Sequence, residues 1–327
     1  MHAEPRGAQP RPEDHRRAEP PAADTRGSQP LHQLGRGFLM GAADIVPGVS
    51  GGTIALVLGI YERLVAAIYT AASALGALLR GDVRETGRRL AAVPWLWVIA
   101  LVTGIGAAIV LLSGSLERLL TERPEAMAGL FFGLIVGAVV VSWRLVKRPA
   151  PRLAVVAVVA AAAFFLFLGL QDSTHASGTE AVTRPAWAFF LAGAVAICAM
   201  ILPGISGSFI LVLLGMYTEV LGAVNDRQIG VLLLFLLGAG LGLAAFSSLL
   251  TWLLSRYHDL VLAALIGLML GSLRILWPWP HGLDSTELGA PGDPLLGPVL
   301  LAVLGFVVVV GVDRLGRVFA DRHDRAA

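Results

Sequence analysis

Two stretches of this 327-residue sequence decide how it is organised: residues 45–61 are IVPGVSGGTIALVLGIY, and residues 201–217 are ILPGISGSFILVLLGMY. Aligned without gaps, they are identical at nine of 17 positions. Each lies inside an apolar run, 37–68 or 186–224, that is longer than the roughly 20 residues a helix needs to cross a bilayer. A motif duplicated inside two over-long apolar runs indicates two copies of one membrane unit.

Both motifs are predicted to interrupt a helix. Proline lacks the backbone N–H and disfavours a helical residue before it, so a helix should end close to Pro47 and close to Pro203. Gly48 and Gly204 then permit the chain to reverse. Each of the two apolar runs is therefore predicted to be a re-entrant hairpin of two helices rather than one continuous span.

The composition is that of a membrane protein. Hydrophobic residues make up 56% of the chain and charged residues only 15%, with a mean hydropathy of +0.75. Soluble domains carry about 25% charged residues. These values exclude a cytosolic enzyme, a secreted disulfide scaffold and a soluble nucleic-acid-binding protein, and no nucleic-acid partner is expected. The single cysteine, Cys198, allows no intramolecular disulfide.

Two membrane repeats are predicted, with a tail at either end. Residues 1–33 contain six prolines and almost no large apolar side chains, so this tail is predicted to be disordered and cytoplasmic. The predicted domains after it are a first repeat at 34–170, an external linker at 171–184, a second repeat at 185–319 and a cytoplasmic tail at 320–327. Outside the two motif runs, six apolar segments have the length of single spans: 95–113, 126–143, 153–170, 229–254, 260–276 and 297–312. An insert near 71–92 is either an amphipathic surface helix or a basic loop.

The distribution of Lys and Arg predicts the orientation of these segments, because cytoplasmic loops are richer in both residues. If each motif run enters and leaves on one side, 19 of the 25 Lys and Arg residues lie on that side, in both tails and in loops 69–94, 144–152 and 255–259. Each repeat then has three crossings, an odd number, so the second is inverted. The predicted fold is an all-α polytopic membrane protein with two inverted-topology repeats, each a broken re-entrant helical hairpin plus three transmembrane helices.

Inverted repeats with broken helices are typical of secondary transporters, whose binding site lies where the breaks meet. After each break the second helix is predicted to start near Gly51 or Gly207, with a serine at its N-cap. A glycine-rich helix start with exposed N–H groups and hydroxyls favours an anion, above all phosphate. Helix capping and tight packing alone would also explain these residues. The predicted phosphate-binding residues are Ser50, Gly51, Gly52, Thr53, Ser206, Gly207 and Ser208.

Five charged residues lie in apolar surroundings, where each is costly on insertion scales. Asp44 lies one turn before the first break, and its counterpart in the second copy is Met200. We therefore predict that Asp44 is a protonatable or cation-pairing group that couples transport to an ion. The other four, Glu62, Arg63, Glu219 and Arg274, are either coupling or charge partners of the same kind or snorkelling residues at the interface.

No signature of enzyme catalysis or of cofactor binding occurs in the sequence. There is no P-loop, no His-Glu-x-x-His, no Gly-x-Ser-x-Gly and no Cys-x-x-Cys. Ser50 has no histidine in the apolar spans to act as its base, since His258 lies in a predicted short loop. We expect neither an enzyme nor a cofactor or metal centre.

The two motifs, residues 43–55 and 201–209, followed by Leu-Gly-Ile-Tyr and Leu-Gly-Met-Tyr, resemble the paired motifs of a bacterial membrane family. This family, once described only as a domain of unknown function, is now described as polyprenyl-phosphate (undecaprenyl-phosphate) transporters, and the resemblance covers about 34–312. It implies a flippase that returns undecaprenyl phosphate from the outer to the inner leaflet of the plasma membrane for cell-envelope synthesis.

Three functions remain open at this point: the lipid-phosphate flippase, an ion-coupled secondary transporter of a small water-soluble anion, and a membrane enzyme acting on a lipid phosphate. The missing catalytic set speaks against the third. Only the resemblance separates the first from the second. The expected partners are the polyprenyl phosphate, membrane lipids and a coupling proton or cation. The oligomeric state is left open.

Overall fold

The computed structural model of the chain describes residues 30–45, 49–170, 184–280, 282 and 288–324. Within these ranges the protein is all-helical, with no strand. Five of the described helices are long and apolar enough to cross a membrane, which makes this an integral membrane protein. They are α5 (Trp95–Glu122), α6 (Pro124–Trp143), α7 (Pro151–Leu170), α11 (Ile229–Ser272) and the Leu296–Arg314 part of α12 (Leu296–Asp324).

Both motif runs are broken helices. In the first run, α1 (Pro30–Asp44) is followed by a short α2 (Gly51–Val57) and then by α3 (Tyr61–Leu79). In the second, α8 (Ala186–Ile201) is followed by a short α9 (Gly207–Leu213) and then by α10 (Tyr217–Asn225). The predicted helix starts at Gly51 and Gly207 are confirmed. Pro47 and Gly48 lie outside the described residues, whereas Pro203 and Gly204 are buried, and Gly204 has φ +83°.

The insert after the first hairpin contains a short polar helix, α4 (Val83–Ala92). Asp82 caps it by accepting a hydrogen bond from the N–H of Glu85 at 2.9 Å. The Glu85 carboxylate accepts a hydrogen bond from Arg89 Nε at 2.7 Å, and hydrogen bonds from Arg89 and Arg88 hold its pKa below the usual value. Residues 83–92 of the insert are therefore helical, as one of the two predictions expected; their position at the membrane surface stays a prediction.

The 44-residue α11 contains two of the predicted spans. A straight helix of that length would measure about 66 Å, more than twice the hydrocarbon thickness of a bilayer. It is interrupted at Tyr257, whose φ of −134° and ψ of 42° are not helical. The predicted loop 255–259 is therefore wrong in its extent, because only this one residue separates a first arm (229–256) from a second arm (258–272).

Glycines bring the helices of each half into close contact. In the first half, α1 packs on α5, where a Cβ on Gly37 would collide with the backbone of Leu101. In the second half, α8 packs on the first arm of α11, where a Cβ on Gly193 would collide with the backbone of Phe235. The contact of α1 with α5 in the first half thus corresponds to the contact of α8 with the first arm of α11 in the second half.

The remaining long helices pair across the two halves. Helix α6 of the first half packs on α12 of the second, and a Cβ on Gly133 would collide with the Ala302 carbonyl. The second arm of α11, in the second half, packs on α7 of the first, and a Cβ on Gly267 would collide with the Ala157 carbonyl. Gly133 and Gly267 thus allow close helix contacts, as small residues do in the packing of membrane helices.

Candidate functional site

The two breaks meet in the interior of the protein, where side chains of the first satisfy carbonyls of the second. The last turn of α8 leaves carbonyls without a partner in its own helix. Ser50 Oγ donates to the Met200 carbonyl at 3.3 Å, and Tyr61 Oη donates to the Ile201 carbonyl at 3.2 Å. Ser50 and Tyr61 are only 2% and 1% exposed, so water does not compete for these bonds.

Thr53 makes a third bond between the breaks. Its Oγ1 accepts a hydrogen bond from the Gly204 N–H at 2.9 Å, and the threonine is fully buried. Next to it, a Cβ on Gly52 would lie 2.9 Å from the Ile201 carbonyl oxygen. The close approach of the two motifs therefore explains the glycine at position 52, and the hydrogen bond with Gly204 explains the threonine at position 53.

The start of α2 is capped by two side chains. Asp44 Oδ1 accepts a hydrogen bond from the Gly51 N–H at 2.5 Å. Ser50, at the N-cap, accepts one from the Gly52 N–H at 3.1 Å. A carboxylate at the N-terminus of a helix is the electrostatic equivalent of a bound anion. In this structure the Asp44 carboxylate thus binds the Gly51 N–H, one of the groups that the sequence predicts to bind phosphate.

The start of α9 is built differently. Ser206 is again the N-cap residue, but its side chain makes no capping bond to the first turn of α9. The position equivalent to Asp44 is Met200, which carries no charge. Gly207 opens the helix, and a Cβ there would lie 3.1 Å from the Ala196 carbonyl oxygen. The two copies of the motif therefore adopt different local structures.

A cavity of about 240 Å³, here called the break cavity, lies between the two motifs. Its polar groups come from both copies: Asp44 and Ser50 from the first, Ser206 and Gly207 from the second. Asp44 is the charged residue of this lining. Among the described residues no cation lies within ion-pair distance of its carboxylate.

An apolar groove lies beside the break cavity. It also has a volume of about 240 Å³, and all 15 lining residues are apolar. Helices α1, α2, α5, α6 and α12 contribute to its walls, through residues such as Leu39, Ile54, Leu116, Phe131 and Val308. Val49 lines both the groove and the break cavity, so a polar and an apolar space adjoin at this residue.

A family model described as undecaprenyl phosphate translocase-like matches residues 40–289, which include both motifs. The chain belongs to this undecaprenyl phosphate translocase-like family. The resemblance seen in the two motifs is thereby confirmed.

Two relatives share most of their length with this translocase-like chain. A polyprenyl-phosphate transporter of Vibrio cholerae serotype O1 is 40% identical over 270 residues, 80% of this chain and 82% of the relative. A polyprenyl-phosphate transporter of Staphylococcus aureus is 30% identical over 312 residues, 88% of this chain and 96% of the relative. No solved structure matches the chain.

The other four predicted charged residues of the translocase-like chain lie away from the break cavity. The Glu62 carboxylate oxygen Oε1 lies within hydrogen-bonding distance of His258 Nε2, at 2.7 Å. The Arg63 guanidinium carbon lies 4.9 Å from the centre of the Trp97 ring.

In the second half, Glu219 lies 4.0 Å from Arg184 Nε. The Arg274 guanidinium carbon lies 4.9 Å from the centre of the Phe165 ring. Asp44 is thus the member of the five that the structure brings to the breaks. The side chain of Ser208 lies outside what the structure describes.

Sequence reasoning missed the role of two residues of this family member, Tyr61 and His258. Tyr61 and Tyr217 are identical in the aligned motifs, which was a signal for a role at this position, and Tyr61 is the copy that bonds to the other break. His258 follows the kink in α11 and contacts both Glu62 and Asp259. Among the described residues no cluster of His, Cys, Asp and Glu has the arrangement of a metal site.

Proposed function

We propose that this chain is a flippase that moves undecaprenyl phosphate, or a related polyprenyl phosphate, from the outer to the inner leaflet of a bacterial plasma membrane. The observation that carries the proposal is the junction at Val49, where a polar cavity between two helix starts adjoins a wholly apolar groove. A prenyl phosphate has one anionic end and one hydrocarbon end. The names of the two relatives support the same ligand class.

The proposed architecture is the inverted duplication, with both tails, residues 69–94 and 144–152 and the kink of α11 at Tyr257 in the cytoplasm. The matched contacts of the two halves support it: α1 with α5 corresponds to α8 with the first arm of α11. Likewise α6 with α12 corresponds to the second arm of α11 with α7. In this proposal the repeats span 34–170 and 185–319, and the linker 171–184 is external.

The phosphate is proposed to bind in the break cavity, with Ser50, Ser206 and Gly207 on its wall. The start of α9 offers N–H groups with no carboxylate beside them, whereas the Gly51 N–H is bonded to Asp44. Phosphate therefore binds first at the second motif in this conformation. Gly51, Gly52 and Ser208 complete the proposed site as the first residues of the two short helices.

Asp44 is proposed to couple transport to protons. An ionised Asp44 holds the Gly51 N–H and repels a second anion from the cavity. Protonation removes the negative charge and weakens the hold on Gly51, so a phosphate can reach both helix starts. The described lining of the cavity contains no other titratable side chain besides Asp44, so this carboxylate would supply the protein's part of the pH dependence, beside that of the phosphate.

The prenyl chain is proposed to leave the cavity through the apolar groove. Because the groove is lined by α1, α2, α5, α6 and α12, the first isoprene units would lie between these helices while the rest of the chain stays in the bilayer. A small water-soluble anion would make no use of such a groove. This difference favours the lipid over the soluble-anion alternative.

Leaflet exchange in liposomes tests the proposal. The purified chain is reconstituted with labelled undecaprenyl phosphate, and the fraction of label accessible from outside is followed in time. We expect faster exchange than in protein-free liposomes. No acceleration would refute the flippase. Uptake of aqueous phosphate or sulfate would favour the soluble-anion transporter, and release of inorganic phosphate from the lipid would favour an enzyme.

A further inference from the structure

A second polar cavity of about 750 Å³ lies at the C-terminal end of α2, about 10 Å along that seven-residue helix from the break. Residues 58–61 form its apolar wall. Its charged and titratable side chains come from four separate parts of the chain: Arg36 in α1, Glu62 and Arg63 in α3, Lys147 after α6, and His258 in α11. We call it the basic cavity.

The charges of the basic cavity are unequal. Two guanidinium groups and one ammonium group face it, against the single carboxylate of Glu62. That carboxylate is already engaged by His258 Nε2 at 2.7 Å, while His258 Nδ1 lies 3.0 Å from Asp259. Counted as three cations and one anion, the lining carries a charge of about +2, close in magnitude to the −1.5 to −2 of a phosphate monoester at pH 7.

Arg63 lies against an aromatic ring. Its guanidinium lies over the ring of Trp97 at 4.9 Å, and Trp97 is itself buried, with 4% exposure. Stacking uses the face of a guanidinium and leaves its N–H groups pointing outward in the plane. Such a fork is suited to two parallel hydrogen bonds with phosphate oxygens.

The basic cavity lies on the side that the Lys and Arg distribution predicts to be cytoplasmic, because Lys147 and His258 belong to the predicted inner loops. It is also linked to the breaks through Tyr61, which lines the cavity and donates to the Ile201 carbonyl. A ligand on its way between the breaks and the cytoplasmic leaflet would therefore pass this wall.

We propose that the basic cavity is a second binding site, which holds the phosphate monoester headgroup of the lipid at the cytoplasmic end of its path. This inference rests on the proposed function and adds a second binding site to the path of the lipid headgroup. The break cavity carries the headgroup across the membrane, and the basic cavity receives it before release into the inner leaflet. Arg63 and Lys147 are the ligands expected to contact the phosphate.

Binding is tested on the full chain in detergent micelles, without transport. Farnesyl phosphate is titrated as a short prenyl phosphate, with farnesol and inorganic phosphate in parallel. The signal is the change in tryptophan fluorescence that Trp97→Phe removes, because Trp97 lies under Arg63. We expect saturable binding of farnesyl phosphate and no saturable signal with farnesol. Inorganic phosphate is expected to bind at least tenfold more weakly, because it lacks the apolar contact.

Two variants of one loop locate the site. Lys147→Gln removes a cation that lines the cavity, and we expect about threefold to fivefold weaker binding of farnesyl phosphate, as is usual for an exposed charge pair. Arg148→Gln makes the same change one residue later, at a side chain that does not line the cavity, and is expected to leave binding unchanged. Equal weakening by both variants would show general attraction to a basic surface and would overturn the proposal.

Other outcomes separate this proposal from the flippase. Equal signals with farnesol would overturn the headgroup site, and equal affinity for inorganic phosphate would assign the cavity to a soluble anion. If leaflet exchange fails while Trp97-dependent binding weakens in Lys147→Gln alone, the basic cavity stands and the flippase falls. If exchange proceeds and Lys147→Gln binds normally, only the basic cavity is refuted.

Discussion

Replacing Asp44 by Asn removes the charge from the break cavity with almost no change in shape. Asparagine Oδ1 can still accept the hydrogen bond from the Gly51 N–H, which Asp44 Oδ1 now accepts at 2.5 Å. Bonds to charged groups contribute about 1.5–3 kcal/mol and neutral ones about 0.5–1.5 kcal/mol. The variant should therefore lose only about 1 kcal/mol of folding stability.

The same change should strengthen anion binding. A unit charge about 4 Å from a bound phosphate costs about 1 kcal/mol in water and about 4 kcal/mol at the effective dielectric constant of a protein surface. Removing this repulsion corresponds to a gain in affinity between about fivefold and about 700-fold. Because protonated Asp44 resembles asparagine, exchange by the unmodified chain should rise more steeply as the pH falls than exchange by the variant, which keeps only the pH dependence of the phosphate itself.

Leaflet exchange of labelled undecaprenyl phosphate is measured in liposomes between pH 5 and pH 8 for the unmodified chain and for Asp44→Asn. Glu219→Gln is the matched control, since it also removes one carboxylate from an apolar run but lies beside Arg184, away from the cavity. The control should keep the original pH profile. If Asp44→Asn keeps it as well, Asp44 does not couple transport to protons.

Three further predictions concern packing at and around the breaks. Thr53→Val leaves the buried Gly204 N–H without its acceptor and should lower the unfolding free energy by about 1–3 kcal/mol; Thr53→Ser should restore it, and equal melting temperatures would contradict the bond. Gly133→Ala should lower the unfolding free energy by about 1–3 kcal/mol, since its Cβ would meet the backbone of α12. The control Gly106→Ala, where a Cβ would have no atom within 4 Å, should be neutral or stabilising by up to about 1 kcal/mol. Similar shifts in thermal unfolding for both variants would refute the close contact. Gly207→Leu should abolish leaflet exchange while the protein still elutes as a folded species, and normal exchange would move the phosphate site elsewhere.

The helix starts could be predicted because they depend on neighbouring residues. The contacts between the two motifs could not, because they join residues far apart in the sequence. Proline, glycine and serine at the motif fix where α2 and α9 begin, because each acts through its own backbone or the next turn. The bond from Thr53 to Gly204 joins residues 151 positions apart, and no periodicity encodes it. Asp44 was assigned a role in coupling, but its contact with Gly51 depends on how the chain reverses between them.

The kink in α11 shows the opposite difficulty. Residues 255–259 are polar enough to predict a loop between two spans, yet the helix continues on both sides of Tyr257. A short polar segment can stay helical when its side chains find partners. Asp259 does so by accepting hydrogen bonds from the N–H groups of Lys147 and Arg148 at 2.9 and 3.0 Å. Composition alone does not reveal those partners.

Tyr61 and Tyr217 occupy equivalent positions in the two motifs, yet Tyr61 is 1% exposed and bonded to Ile201, whereas Tyr217 is 41% exposed. If the halves are an inverted pair, exchanging their conformations generates the state that opens to the other side of the membrane. Tyr217 would then be buried against the carbonyl of Ile45, the counterpart of Ile201, and Tyr61 would be released. The bond made by Tyr61 would be regained by Tyr217, whereas the bonds made by Asp44 and Thr53 would not, because their counterparts are Met200 and Phe209. The two states would therefore differ in energy, and a bound ligand would have to offset that difference.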